Sequence, residues 1–129
     1  WITGKESLTA DAVARVRKAW QQYPDRYEAV FDQVEDVTNA GREALITGNL
    51  EEIGELMNLC HGYLNALQLS TPELEELIHI ARKNGALGAK LTGGGVGGSM
   101  IALCPDNKHS VQHAMQAAGF QSLEVTIAT

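Results

Sequence analysis

The chain has 129 residues, 44% of them hydrophobic and 20% charged, the balance of an ordinary globular domain large enough to bury a core without disulfide or metal staples. Ten Lys and Arg against sixteen Asp and Glu leave a net charge of −6. That excludes the basic stripe that nucleic acid or an anionic membrane surface would need. The longest apolar run, Met100 to Cys104, is far short of the roughly 18 residues of a membrane helix.

Helical periodicity fills the first two-thirds. Thr9 is placed to cap a first helix with Asp11 in its first turn, and Val13, Val16 and Trp20 make its apolar stripe. Pro24 and Asp25 interrupt it. A second helix carries Tyr27, Val30, Phe31, Val34, Val37 and Leu45 at helical spacing and stops at Gly48. Asn49 followed by Glu52 resembles a capping box, and Leu50, Ile53, Leu56, Met57, Cys60, Leu64 and Leu67 form the expected buried side of a third helix. Thr71 with Pro72 starts a fourth, in which Leu74, Leu77, Ile78 and Ala81 face inward, and Gly85 ends it.

Beyond Gly85 the period changes to that of strands. Ala86 to Leu91 and Ser99 to Leu103 are expected strands on either side of a glycine-rich turn. Pro105 and Asp106 should open another helix with Val111, Ala114, Met115 and Ala118 inward and Gly119 as its stop. Leu123, Val125 and Ile127 alternate with polar residues, as in a half-buried strand. The order predicts one α+β domain over residues 1–129, a sheet layered with helices.

Five of the six residues from Gly93 to Gly98 are glycine, with Val96 the exception. Such a run costs backbone entropy and makes sense where main-chain amides approach something closely, phosphate oxygens above all. The Walker pattern fails, since Gly98 stands where a lysine should precede Ser99. Gly93, Gly95 and Gly98 match the dinucleotide fingerprint in form, but the turn opens a strand and not a helix. Two readings stand: a flap over phosphates, or a tight hairpin packed on a neighbour.

Other polar residues carry weaker signals. His109 and His113 share a helix face near Cys104, a spacing zinc can use, but a solvated face explains them better. Asn58 and His61, three apart on the third helix, either line a polar cleft or bond to nearby backbone. The acidic helix starts, Glu51, Glu52 and Glu55, then Glu73, Glu75 and Glu76, suit the helix dipole. Cys60 and Cys104 are expected as reduced thiols. No basic and apolar leader is visible, and Trp1 rather than Met opens the sequence, which points to a segment of a longer protein.

The stretch from Lys90 through Thr92, Gly93, Gly94, Gly95, Val96, Gly97, Gly98 and Ser99 to Leu103 resembles the third motif of the GHMP small-molecule kinases. Met57-Asn58, His61, Leu64, Leu67, Ser70 to Leu74 and Gly85 to Lys90 are similar to the mevalonate kinase branch of that family, and Thr3-Gly4 with Thr9, Ala12 and Val13 resembles the entry to its C-terminal half. Gly94 replaces the usual alanine, Ser99 stands where cysteine is common, and Ile2 precedes Thr3 where the family has aspartate. The resemblance implies a C-terminal lobe with a ferredoxin-like antiparallel sheet and an added helical layer. It further implies that the ATP loop, catalytic aspartate, lysine and magnesium ligands lie in an N-terminal lobe outside these residues.

On that footing no catalytic residue and no metal ligand is expected here. Residues 92–99 would border the site where the γ-phosphoryl of ATP reaches mevalonate in a cytoplasmic isoprenoid-forming enzyme, with Lys90, Asn58 and His61 as cleft candidates. ATP and Mg²⁺ belong to the full-length enzyme, and the segment alone is expected to bind neither and to be inactive. The partners implied are the N-terminal lobe and the two substrates, with no nucleic acid or membrane and with a homodimer left open. Another GHMP kinase, for phosphomevalonate or a sugar, and a non-enzymatic anion-binding α+β domain are the alternatives.

Overall fold

The computed structural model describes residues 9–92 and 98–126. Five helices and one hairpin follow in the order α1 (Thr9–Gln22), α2 (Pro24–Thr47), α3 (Leu50–Ala66), α4 (Pro72–Lys83), β1 (Gly88–Thr92), β2 (Ser99–Leu103) and α5 (Lys108–Ala117). The strands pair antiparallel, with Gly88 opposite Leu103 and Thr92 opposite Ser99. Their inner face, Ala89, Leu91 and Met100, packs with Leu74, Leu77, Ile78 and Ala81 of α4 and Val111 and Met115 of α5 into one buried cluster. Each large aliphatic side chain so buried contributes about 1.5–3 kcal/mol. On the far side of β1 lies α3, followed by α2 and then α1.

The helix boundaries follow from local chemistry. Asn49 Oδ1 accepts from the Glu52 amide and Thr71 Oγ1 from the Leu74 amide, satisfying donors that a helix start leaves open. Gly48, Gly85 and Gly119 all take positive φ, and the residue after each donates back five positions to the preceding helix. This is the Schellman arrangement, in which glycine avoids a Cβ clash. The fourth such stop, after α3, has the same two hydrogen bonds but places Gln68 at φ 61°, the one non-glycine residue at positive φ among the described residues.

Several expectations need correction. β1 begins at Gly88 and not at Ala86, because the Ala86 amide is engaged by Ala81 O in closing α4. α5 begins at Lys108, after a turn through Pro105 to Asn107 in which Asn107 Nδ2 donates to Gly85 O. The strand expected around Leu123 and Val125 is absent over residues 122–126. Those two side chains are 84% and 75% exposed, with no described strand alongside to cover them.

The expected stripes of the N-terminal helices hold in part. Tyr27, Val30, Phe31, Val34 and Val37 of α2 and Ile53, Leu56, Met57, Cys60, Leu64 and Leu67 along α3 are buried or half-buried. Val13, Trp20, Leu45 and Leu50 are exposed, and the neighbouring Ala12 and Ala44 are buried instead, since small residues allow close helix packing. Ala118 is exposed as the cap of α5. The Thr9 cap, Thr3-Gly4 and Ile127 lie outside the described residues and side chains. Among the described residues no helix is long and apolar enough to cross a membrane.

Candidate functional site

The hairpin is two-faced. By strand alternation, Ala89, Leu91 and Met100 point into the core, and Lys90, Thr92, Ser99 and the exposed Ile101 occupy the opposite face. Thr92 and Ser99 are register partners at the turn end of the hairpin, so two hydroxyl-bearing residues flank the glycine run directly across from each other. Gly93, Gly94, Gly95, Val96 and Gly97 lie outside the described residues. Gly98 is half-buried at the mouth of β2. Lys90 Nζ donates to the Leu91 carbonyl at 2.9 Å.

The other edge of β1 has no strand beside it among the described residues. Its polar groups are taken up by side chains instead. Asn58 Oδ1 accepts from the Ala89 amide at 3.0 Å and from Arg82 Nε at 2.9 Å, and Asn58 Nδ2 donates to Leu87 O at 3.4 Å. Arg82 reaches the Ala89 carbonyl with a second nitrogen at 3.0 Å. One helical turn further along α3, His61 Nδ1 accepts from the Leu91 amide at 3.2 Å. Helix α3 thus stands in for a neighbouring strand, and covers an edge that would otherwise invite aberrant pairing.

Close approach makes this possible. A Cβ on Gly54 of α3 would fall 2.5 Å from the Leu87 carbonyl oxygen, and one on Gly88 would run into the Gly54 backbone. Helix and strand therefore touch main chain to main chain, which only glycine permits.

The tautomer of His61 follows from geometry. Leu91 N–H can only donate, so Nδ1 must be the unprotonated acceptor and Nε2 must carry the hydrogen. Nε2 then donates to Glu75 Oε1 of α4 at 2.8 Å. Burial by itself raises the Glu75 pKa. Ser70, the His61 hydrogen bond and the nearby Arg82 charge together outweigh that and hold the carboxyl below its ordinary value. Ser70 Oγ is buried without a hydrogen bond of full geometry, yet lies near enough to act on this carboxylate.

Asn58, His61 and Lys90, named from the sequence as cleft candidates, all direct polar atoms to β1 backbone. The spacing of Asn58 and His61 gave a signal for a shared face. Glu75 and Arg82 were missed as partners, since they sit 14 and 24 residues further along the chain from the side chains they meet. Gly54 and Gly88 were missed as a contact, and only the presence of a glycine inside a helical stretch hints at it.

His109 and His113 are exposed on α5, and no group of three His, Cys, Asp or Glu comes together as a metal site among the described residues. Cys60 and Cys104 are free, and burial raises the Cys104 pKa, which keeps it a thiol.

Comparison with known proteins places this arrangement. The family described as "GHMP kinases C terminal" matches residues 42–121. A mevalonate kinase of Pyrococcus abyssi is 40% identical over 122 residues, covering 91% of this chain and 36% of that protein. The mevalonate kinase of Methanothermobacter thermautotrophicus is 44% identical over 97 residues, 75% of this chain and 32% of that protein. Among solved structures, L. major mevalonate kinase in complex with R-mevalonate superposes with a TM-score of 0.85 at 36% identity, covering 89% of this chain and 36% of that one. Lactococcus lactis galactokinase shares the fold, with a TM-score of 0.64 at 24% identity over 92% of this chain and 41% of that one. The chain thus spans about a third of the length of the proteins it matches. Helices packed around an antiparallel hairpin, together with a family match over more than half the chain, show that it belongs to the GHMP kinases through their C-terminal domain.

Proposed function

We propose that the chain is the C-terminal lobe of a mevalonate kinase, a cytoplasmic enzyme that moves the γ-phosphoryl of ATP to the primary hydroxyl of mevalonate. The observation that carries the reading is the register of the hairpin, which seats Thr92 opposite Ser99 at the mouth of a five-glycine turn. Likeness to mevalonate kinases along nine-tenths of the chain supports it.

Phosphoryl transfer asks for positioning and for stabilisation of charge on the phosphoryl oxygens. Main-chain N–H groups of residues 93–98 would donate to those oxygens, and the Thr92 and Ser99 hydroxyls would orient the acceptor beside them. ATP and Mg²⁺ belong to the complete enzyme, and no described residue is assigned as a magnesium ligand. The general base and nucleotide loop belong to the N-terminal lobe in this reading. The 129 residues alone should therefore transfer no phosphate.

Gly95→Val in the complete enzyme tests the loop, since a β-branched side chain would fill the approach to the phosphoryl group. The expected result is a fall in kcat of at least about a hundredfold, the effect of losing an electrostatic donor set. An unchanged kcat would reduce the turn to scaffold, and turnover by the 129 residues alone would site the chemistry within them. Other GHMP acceptors, phosphomevalonate or a sugar, form the second reading because the galactokinase fold is shared. A substrate panel on the complete enzyme separates them.

A further inference from the structure

We propose that His61, oriented by Glu75, is a positioning residue for the end of β1: it holds the Leu91 amide and so sets where Thr92 sits opposite Ser99. The proposal rests on the kinase reading above only for what the Thr92 hydroxyl does.

Asn58 and His61 lie about 4.5 Å apart along the α3 axis, one helical step of three residues. The amides they accept, on Ala89 and Leu91, are about 6.7 Å apart along the strand, a span that two side chains of this length cover. Together they replace the ladder that a third strand would supply. Asn58 anchors the start of β1 and shares that work with Arg82. His61 holds the outward-facing amide near its end, one residue before Thr92.

An imidazole is a costly choice at a site buried to this degree. Leucine would fill such a space with no polar group to satisfy. The histidine is usable because Glu75 fixes its Nε2–H and thereby presents the Nδ1 lone pair to Leu91. A shift at Leu91 passes to Thr92 through a single peptide unit, and mispositioning by about 1 Å near a reacting group costs on the order of a hundredfold in rate.

The test uses the complete enzyme with His61→Phe, which keeps a ring and removes the acceptor, and His61→Asn, whose amide oxygen can accept the same N–H. His61→Phe should lower kcat at least about tenfold while both substrate KM values stay within about twofold, and His61→Asn should recover more than about half of the lost rate. Wild-type kcat in His61→Phe, or equal loss in both variants, would overturn the proposal. Should His61→Phe fail to fold, the exposed Glu75 decides: Glu75→Ala should slow turnover several-fold and Glu75→Gln, which can still accept from Nε2–H, should not. Full activity in Glu75→Ala would count against it. If the wild-type enzyme does not phosphorylate mevalonate, it is the kinase reading that fails, and amide exchange still reads the positioning. Faster exchange at Leu91 in His61→Phe, with β2 unchanged, sustains it, and unaltered exchange sinks it.

Discussion

The two ends of this molecule are built differently. Around the hairpin, α4 and α5 enclose side chains that are almost wholly buried, and the one long polar residue among them, His61, is bonded at both ring nitrogens. The α1–α2 arm is looser: its buried residues are mainly Ala12, Val37 and Ala44, and Val13, Trp20, Leu45 and Ile46 face outward. Dense packing is thus concentrated around the hairpin and the two helices that cover it. The arm needs only to lie against α3.

Three tests sharpen this contrast, in falling order of effect. Gly88→Ala should destabilise the chain by about 3 kcal/mol or more, because the new methyl meets the Gly54 backbone, which no rotamer change can relieve. A lower urea midpoint or loss of soluble protein would show it, and a wild-type midpoint would mean that helix and strand do not touch as described.

Leu77→Ala in the core should cost about 2–5 kcal/mol, whereas Leu50→Ala, at a residue 43% exposed, should stay within about 0.5 kcal/mol. Equal shifts in the two denaturation curves would erase the contrast between the regions.

Gln68→Gly should instead stabilise by about 1 kcal/mol, since Gln68 holds a left-handed conformation that suits glycine. A small rise in the midpoint is the expected readout, and a fall would place the helix stop elsewhere.

That last residue shows how legibility varies along the chain. The stops at Gly48, Gly85 and Gly119 are visible as glycines, and the starts at Asn49 and Thr71 as capping residues, because local chemistry alone fixes them. The stop after α3 has the same hydrogen bonds and no such mark, since the residue at positive φ there is Gln68 and not glycine. The strand expected near Leu123 and Val125 had the right alternation, but alternation states only which face could be buried, not what buries it. In the candidate site, the glycine run and its hydroxyl flanks could be read directly. The backbone destinations of Asn58 and His61 could be expected only as one of two readings.

The amino-acid order by itself determined the helix count up to the hairpin, the antiparallel hairpin with its glycine turn, and the family, because these depend on spacing over a few residues and on a long contiguous motif. Only the tertiary structure decided that Gly54 and Gly88 meet and that His61, Glu75 and Leu91 form one hydrogen-bonded chain. Those contacts join residues 14 to 34 positions apart, and no local periodicity encodes which partner a buried donor will find once α3 has closed on β1.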